Sequence, residues 1–518
     1  MESEKRSLLK KTLQVGSLTF LSRGFGLVRD ILQAWFLGIG PESDAFLTAF
    51  RIPNMFRQIF AEGALSAALI PYLTRMKHEG RSNEIGSLLS MVTIILGSIV
   101  AILCIVIVLC PGCIIEVFAP GFKPDQIAFT SRYLSIMFPF IFIVFLCAIL
   151  TAALQAVNHF FTPALAPVLF NITLIVALIT GIYYSMPVEW LCYAVLASGL
   201  AKLLPRFLAF KYKNLSFGHL TKKSWNDFKH VIIKVGPCLA GVGVYQINIL
   251  LDTVVASYLP RGQLTILHYA YRFMHAPLAV LGIATSVTFL PYFSRMALQN
   301  KERLRFCLTE VVKVLVWAAV PVSLFLMFTS KLLFEVLFSQ KATGAQIILA
   351  KNMLIILAFG IAILSINRVM VRLFYALQDT KTPTWTFALT TALKIAGNIF
   401  SITVYGGIYG IVTATIAVDL LATPALLILL ARKHNVAFDF SHFLEFFRRF
   451  LPQLALSIIA FLSIYSIALY FLPIFIESNT KLFIGAQLTI TSILLASIML
   501  SMLLTRKKCK LNLYFLEK

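Results

Sequence analysis

Pro71-Tyr72-Leu73-Thr74-Arg75-Met76 returns with two conservative exchanges as Pro291-Tyr292-Phe293-Ser294-Arg295-Met296, about 220 residues further on. The same offset carries Ala156 onto Ala376 and Thr162-Pro163 onto Thr382-Pro383. Two separate, ungapped matches at one spacing mark an internal duplication. If the copies lie in a membrane, that spacing accommodates six crossings. Six is an even number, so both copies enter in the same orientation and are related by an axis along the membrane normal.

The surrounding chain has the composition that lipid demands. Of 518 residues, 59% are hydrophobic and only 13% are charged, with a mean hydropathy of +0.87. Soluble domains sit at about 45–50% apolar and about 25% charged, which excludes an ordinary cytosolic enzyme and a disordered chain. A spanning helix needs about 20 apolar residues. Hydropathy bounded by Pro, Gly and charge clusters gives fourteen candidate spans. They centre near Phe25, Arg57, Val100, Ile141, Thr173, Gly199, Val244, Leu281, Val322, Gly360, Leu393, Ala417, Ile458 and Ser492. The expected fold is an all-α polytopic membrane protein of two six-helix lobes, 1–220 and 221–434, in a parallel pseudo-two-fold repeat. Two further helices in 435–505 stand outside the repeat, followed by a basic tail, 506–518.

The net charge of +23 has no polar domain to display it to nucleic acid, so its distribution along the chain is the informative quantity. Alternate loops hold Arg75, Lys77 and Arg81, then five lysines between Lys211 and Lys229, then Arg295, Lys301, Arg303 and Arg305, then Lys381, then Arg432, Lys433, Arg448 and Arg449. The opposite loops offer little beyond Lys123, Arg261, Lys341 and Lys481. This asymmetry puts both termini in the cytoplasm. The first 15 residues, with Lys5, Arg6, Lys10 and Lys11, read as a cytoplasmic anchor because no cleavable apolar core follows them. The eight cysteines mostly sit singly in apolar runs, as small buried hydrophobes do. Cys110-Pro111-Gly112-Cys113 has the spacing of a redox pair, either a disulfide at a helix end or two unlinked thiols.

An arginine near the bilayer centre costs roughly 2.5 kcal/mol or more on insertion scales, so charges inside spans mark functional surfaces. Span one contains Ser22, Arg23, Arg29 and Asp30, and span two contains Asp44, Arg51, Asn54, Arg57, Gln58 and Glu62. At about 100° per residue Asp44, Arg51, Gln58 and Glu62 share one helical face. Pairing of Arg29 with Asp44, or of Arg57 with Glu62, would merely tie two helices together. Four arginines nevertheless face three acids in these spans, and Arg272 in span eight has no acid within a turn. The surplus points to a water-filled cationic chamber suited to phosphate or pyrophosphate, which the planar guanidinium fork grips in pairs of hydrogen bonds. Gln246 and Asn248 on span seven are polar enough to line it or, equally, to satisfy backbone at a helix break. Arg368 and Arg372 read as snorkelling to the inner interface.

The run from Ser22 to Asp30, Ser22-Arg23-Gly24-Phe25-Gly26-Leu27-Val28-Arg29-Asp30, followed by Asp44-Ala45-Phe46, Arg51-Ile52-Pro53-Asn54 and Phe60-Ala61-Glu62-Gly63-Ala64, resembles the amino-terminal signature of the MurJ (MviN) lipid II flippases. Phe374-Tyr375-Ala376-Leu377-Gln378-Asp379-Thr380-Lys381-Thr382-Pro383 resembles the signature before that family's eleventh helix. The likeness extends over nearly the whole chain. It implies membership of the multidrug/oligosaccharidyl-lipid/polysaccharide exporter superfamily and transport of undecaprenyl-pyrophosphate-linked disaccharide-pentapeptide across the bacterial inner membrane. By the same resemblance Arg23, Arg29, Arg57 and Arg272, with Ser22 and Asn54, bind the pyrophosphate headgroup. Asp30, Asp44, Arg51, Glu62 and Gln246 are polar cavity or gating positions, and the last two helices form a groove for the polyprenyl tail. Partners would be lipid II, membrane lipids and peptidoglycan polymerases, with no nucleic acid and no cofactor.

The chain also departs from the family pattern. Tyr271 and His275 stand where the family often has acids flanking the eighth-helix arginine. A cation site of some members maps onto Asp252, Lys394, Asn398 and Thr415, and Lys394 puts a sodium ion there in doubt. The rival classes are an enzyme of lipid-linked sugars, another polyprenyl-pyrophosphate flippase of the O-antigen type, and a drug/ion antiporter. The enzyme would show clustered acids for magnesium or a catalytic pair, whereas the 22 acids are dispersed and His268 and His275 have no carboxylate nearby in sequence. The antiporter would favour acids and aromatics over arginines. The O-antigen flippase shares the pyrophosphate logic and is separated from the first reading only by the signature in span one. No Gly-rich Lys-Ser/Thr loop is present for ATP, which leaves membrane potential, an ion gradient or product removal as the driving force.

Overall fold

The computed structural model describes residues 2–58, 64–338, 341–405, 407–475, 480–506 and 511, and these are helical apart from short connections. Glu62 and most of the basic tail lie outside them. The chain divides into two compact units, Met1–Thr265 and Ile266–Lys518.

The first unit contains α1 (Glu2–Leu37), α2 (Pro41–Arg57), α3 (Ala64–His78), α4 (Ser82–Leu109), α5 (Pro111–Phe118), α6 (Pro124–Met137), α7 (Phe140–Ala156), α8 (Phe161–Tyr183), α9 (Val188–Tyr212) and α10 (Lys222–Ser257). Its core is the face that α7 buries against α3, α4 and α9, where Phe138, Phe140 and Phe145 are almost wholly covered. Aromatic volume of this kind forms a packed centre that lipid cannot supply. α10, the opening helix of the second sequence repeat, packs on α3, α4 and α5 and so belongs to this unit.

Helix α11 (Gln263–Leu278) begins in the first unit and continues into the second as a π-helical stretch, Ala279–Ala284, and α12 (Thr285–Gln299). There follow α13 (Lys301–Phe338), α14 (Gly344–Phe359), α15 (Ile361–Ala376), α16 (Lys381–Phe400) with a π-helical end at Ser401–Tyr405, α17 (Ile408–His434), α18 (Phe440–Phe475) and α19 (Thr480–Thr505). α13 is the post of this unit, packing against α12, α14, α15, α18 and α19. α14 and α15 are bent by 40° at Gly360. There a Cβ would lie 2.2 Å from Ile416 Cδ1 of α17, so the bend brings the two helices closer than a side chain permits.

Each of the fourteen span centres falls in a helix or at a helix junction. By length and composition eight of the described helices can cross a membrane, or nine with the bent α14–α15 pair. α1, α2, α10 and α11 are not among the eight. The sequence assigns most of its intramembrane polar residues to these helices, and α2 and α11 are also short, at 17 and 16 residues. The duplication is visible in the backbone. α8 and α16 start at equivalent positions, and each is preceded by a non-glycine residue in the left-handed region, Asn158 (φ 62°) and Gln378 (φ 59°). The closing bonds match as well: His159 N donates to Leu154 O, and Asp379 N donates to Phe374 O, both at 2.9 Å. Such 6→1 closures terminate helices by satisfying their last carbonyls.

Candidate functional site

In the first unit the polar residues of α1 are organised by one residue of α8. Arg29 donates Nη1 to Asn171 Oδ1 at 3.0 Å and Nη2 to Asp30 Oδ1 at 2.6 Å. Asn171 in turn donates Nδ2 to the Ser22 carbonyl at 2.9 Å. Ser22, Arg29, Asp30 and Asn171 are thus one network, with the Arg29 guanidinium carbon also 5.7 Å from the centre of the Phe170 ring. Arg29 and Asp30 are each about one-seventh exposed, at 14% and 15%. Arg23, on the same helix, is exposed.

On α2 the arginines find different partners. Arg57 Nε donates to Asn54 Oδ1 at 3.0 Å, one helical turn back. Arg51 donates to Thr253 Oγ1 of α10, and Gln246 donates to Gln58 Oε1 at 2.7 Å. One pairing that the sequence allowed, Arg29 with Asp44, is therefore not made. Arg29 pairs with Asp30 rather than with Asp44, because Asp44 is fully engaged elsewhere. Its carboxylate accepts from the Gly262 and Thr265 amides and from the Thr265 hydroxyl, and it is 2% exposed. Asp44 closes the first turn of α11, where backbone N–H groups have no intrahelical acceptor. The pairing of Arg57 with Glu62 falls on a residue outside the described set.

The second unit has its own charged cluster. Arg272 is exposed and His275 lies within electrostatic reach of Arg272, Arg368 and Lys394. Asp419 on α17 is reached by Lys394 and Arg368, and Asn367 Nδ2 donates to Asp419 Oδ1 at 3.4 Å. Arg368 packs against Gly282 in the π-helical stretch and lies within electrostatic reach of His275 and Asp419. The hydroxyls of Tyr271 and Thr415 are 3.2 Å apart. Asn398 is 1% exposed, and its side-chain oxygen has no hydrogen-bond partner among the described residues. Asp252 belongs to the first unit and Lys394 to the second, and Lys394 lies within electrostatic reach of Asp419.

Asn171, Thr253, Asn367 and Asp419 were not singled out from sequence. The signal existed for Asn171 and Asp419, since each is a polar residue in an apolar run, Val168–Ile172 and Ile416–Leu421. Among the described residues no group of three or more His, Cys, Asp or Glu is placed to hold a metal ion. Chemically, both units present guanidinium and ammonium groups supported by amides and hydroxyls, a set that recognises phosphate oxygens.

A family model described as lipid II flippase MurJ matches residues 33–487. A probable lipid II flippase MurJ of Rhizobium tropici is 29% identical over 445 residues, covering 84% of this chain and 83% of the relative. A second, from Buchnera aphidicola subsp. Acyrthosiphon pisum, is 28% identical over 497 residues, 92% of this chain and 94% of the relative. Among solved structures, a lipid II flippase MurJ in an inward closed conformation aligns with TM-score 0.73 at 23% identity, over 96% of this chain and 99% of that one. An inward-facing multidrug resistance MATE transporter of the MOP superfamily aligns with TM-score 0.67 at 15% identity, over 79% of this chain and 94% of that one.

Proposed function

We propose a function that proceeds from one premise: the chain belongs to the MurJ family of lipid II flippases. It is a multi-pass membrane transporter, and its cargo is lipid II, moved from the inner to the outer leaflet of the bacterial cytoplasmic membrane. The observation that carries the reading is the family match over residues 33–487. The polar networks of α1, α2 and α11 supply the chemistry the cargo requires.

The mechanism is alternating access. Two lobes, 1–220 and 221–434, rock about a cationic chamber in which Arg23, Arg29, Arg57 and Arg272, with Ser22 and Asn54, hold the pyrophosphate. Asp30, Asp44, Arg51, Glu62 and Gln246 shape or gate that chamber. The polyprenyl tail stays in the bilayer, guided by the two helices of 435–505, and both termini face the cytoplasm. Guidance rather than affinity is the role of that groove, because burying each CH₂ contributes about 0.8 kcal/mol in lipid as well as on protein. Peptidoglycan polymerases receive the product outside.

Neutralising any one of the four arginines removes a charge-assisted interaction of roughly 1.5–3 kcal/mol, about ten- to over one-hundred-fold in affinity. Purified Ala variants should bind lipid II that much more weakly, and Lys variants should recover only part of the loss because they lack the bidentate fork. Wild type should prefer lipid II to polyprenyl-pyrophosphates bearing other sugars. Membrane-inserted, thermally normal Ala variants of all four that still support cell-wall growth would overturn the chamber.

A further inference from the structure

Six cysteines are described, and four of them, Cys104, Cys147, Cys192 and Cys307, are buried. Cys110 and Cys113 are the exposed pair among the described residues. Cys110 is the N-cap of α5, Pro111 follows in its first turn, and Cys113 is its third residue. Side chains at N-cap and N3 face each other across the first turn, the relation that a capping box uses. Both are free thiols in this structure, and the neighbouring Cys110 side chain raises the pKa of the Cys113 thiol. A Cys-Pro-Gly-Cys unit at a helix start is thus built for an internal bond between its own ends. Neither cysteine belongs to the polar networks described above.

We propose that Cys110 and Cys113 form an intramolecular disulfide, made by exchange with a protein disulfide outside the cytoplasm. The proposal rests on the topology given under the proposed function. In it α4 leaves the basic loop of Arg75, Lys77 and Arg81 on the cytoplasmic side and delivers Cys110 to the opposite face, where exposed thiols become oxidised. One thiolate attacks the incoming S–S bond to give a mixed disulfide, releasing one partner thiolate. The second thiolate then displaces the other partner sulfur. Two S–H bonds and one S–S bond become one S–S bond and two S–H bonds, with two electrons and two protons passing to the partner. A loop this short constrains the unfolded chain little. The effect is local: it ties the end of α4 to the first turn of α5, which packs on α6 and on α10.

Intact cells treated with a charged, membrane-impermeant maleimide test this, read by mass spectrometry of the peptide containing residues 110–113. Wild type should show no adduct directly and two adducts after an impermeant phosphine reductant. The Cys113→Ser variant should show one adduct without reductant. Two adducts on untreated wild type would overturn the disulfide while leaving the topology standing. Labelling only after permeabilisation would overturn the topology and the proposal together, and a link from either cysteine to another protein would overturn the intramolecular bond.

Discussion

Asn171 decides what Arg29 does, because its amide accepts from the guanidinium and donates to the Ser22 carbonyl on the same helix. Asn171→Leu leaves Arg29 with Asp30 and the Phe170 ring. Lipid II binding should fall about three- to tenfold, the worth of about one hydrogen bond to a charged group, with normal membrane insertion. Asp44 makes the contrasting forecast. Asp44→Ala strands two backbone amides and one hydroxyl and should cost about 2–4 kcal/mol in thermal stability, since buried donors without acceptors are expensive. Titrating lipid II against the folded remainder should show affinity little changed. Outside the spans, Asp379 caps α16, accepting from the Thr382 amide at 2.9 Å and the Thr382 hydroxyl at 2.6 Å. Burial works against its charge. The Thr382 bonds, His434 and the nearby Lys433 outweigh it, bringing its pKa down from 3.8 to about 2. A depressed carboxyl contributes stability above its ordinary pKa and loses it as pH falls through the folded value. Asp379→Asn should therefore destabilise by about 1 kcal/mol at neutral pH. Unfolding curves of wild type and variant should converge between about pH 4 and pH 2.

At the scale of elements, the helices outside the repeat are held to α13 by polar contacts as well as apolar area. Gln453 of α18 accepts from Trp317 Nε1 at 3.2 Å and donates to the Met502 carbonyl of α19 at 2.7 Å, joining three helices through one amide. Nearer the start of α18, His442 meets the buried Glu310–Lys313 pair of α13 at 3.1 Å from each partner. Gln453→Leu should lower thermal stability by about 1–3 kcal/mol through the Trp317 Nε1 donor it leaves unpaired. Truncation after Arg432 removes both attachments and opens the Glu310–Lys313 pair to its surroundings. The truncated protein should retain headgroup binding, lose transport and melt at a lower temperature. Loss of binding in a correctly inserted truncation would contradict the guidance role of these helices.

At the scale of the whole molecule, the open question is what drives the cycle. Lys394 belongs to the cation site expected from the family resemblance, and Asp419 and His275 lie within its electrostatic reach. We propose that the tethered Lys394 ammonium takes the electrostatic place of a free cation near Asp252, with Asp419 also within its reach. Replacing sodium by choline at constant membrane potential should then change the flipping rate by less than about twofold, and Lys394→Asn should introduce a sodium response. Abolition of flipping by choline in wild type would refute the substitution.

The all-helical membrane class, the duplication and the arginine-bearing helices follow from the sequence by itself. Hydropathy, periodicity and self-similarity are local properties, written residue by residue along the chain. Arg29 and Asp30 were legible because any charge in an apolar run is conspicuous, and Ser22 through the signature it opens. Which partner each charge takes was decided by the tertiary structure. Arg29 and Asp44 were an allowed pair until α8 brought Asn171 beside α1 and the turn before α11 brought two amides to Asp44. Arg368 and Lys394 read as unrelated basic residues until α17 set Asp419 within reach of both. A hydrogen bond depends on distances of a few ångströms between helices far apart in sequence, and hydropathy contains no such distances.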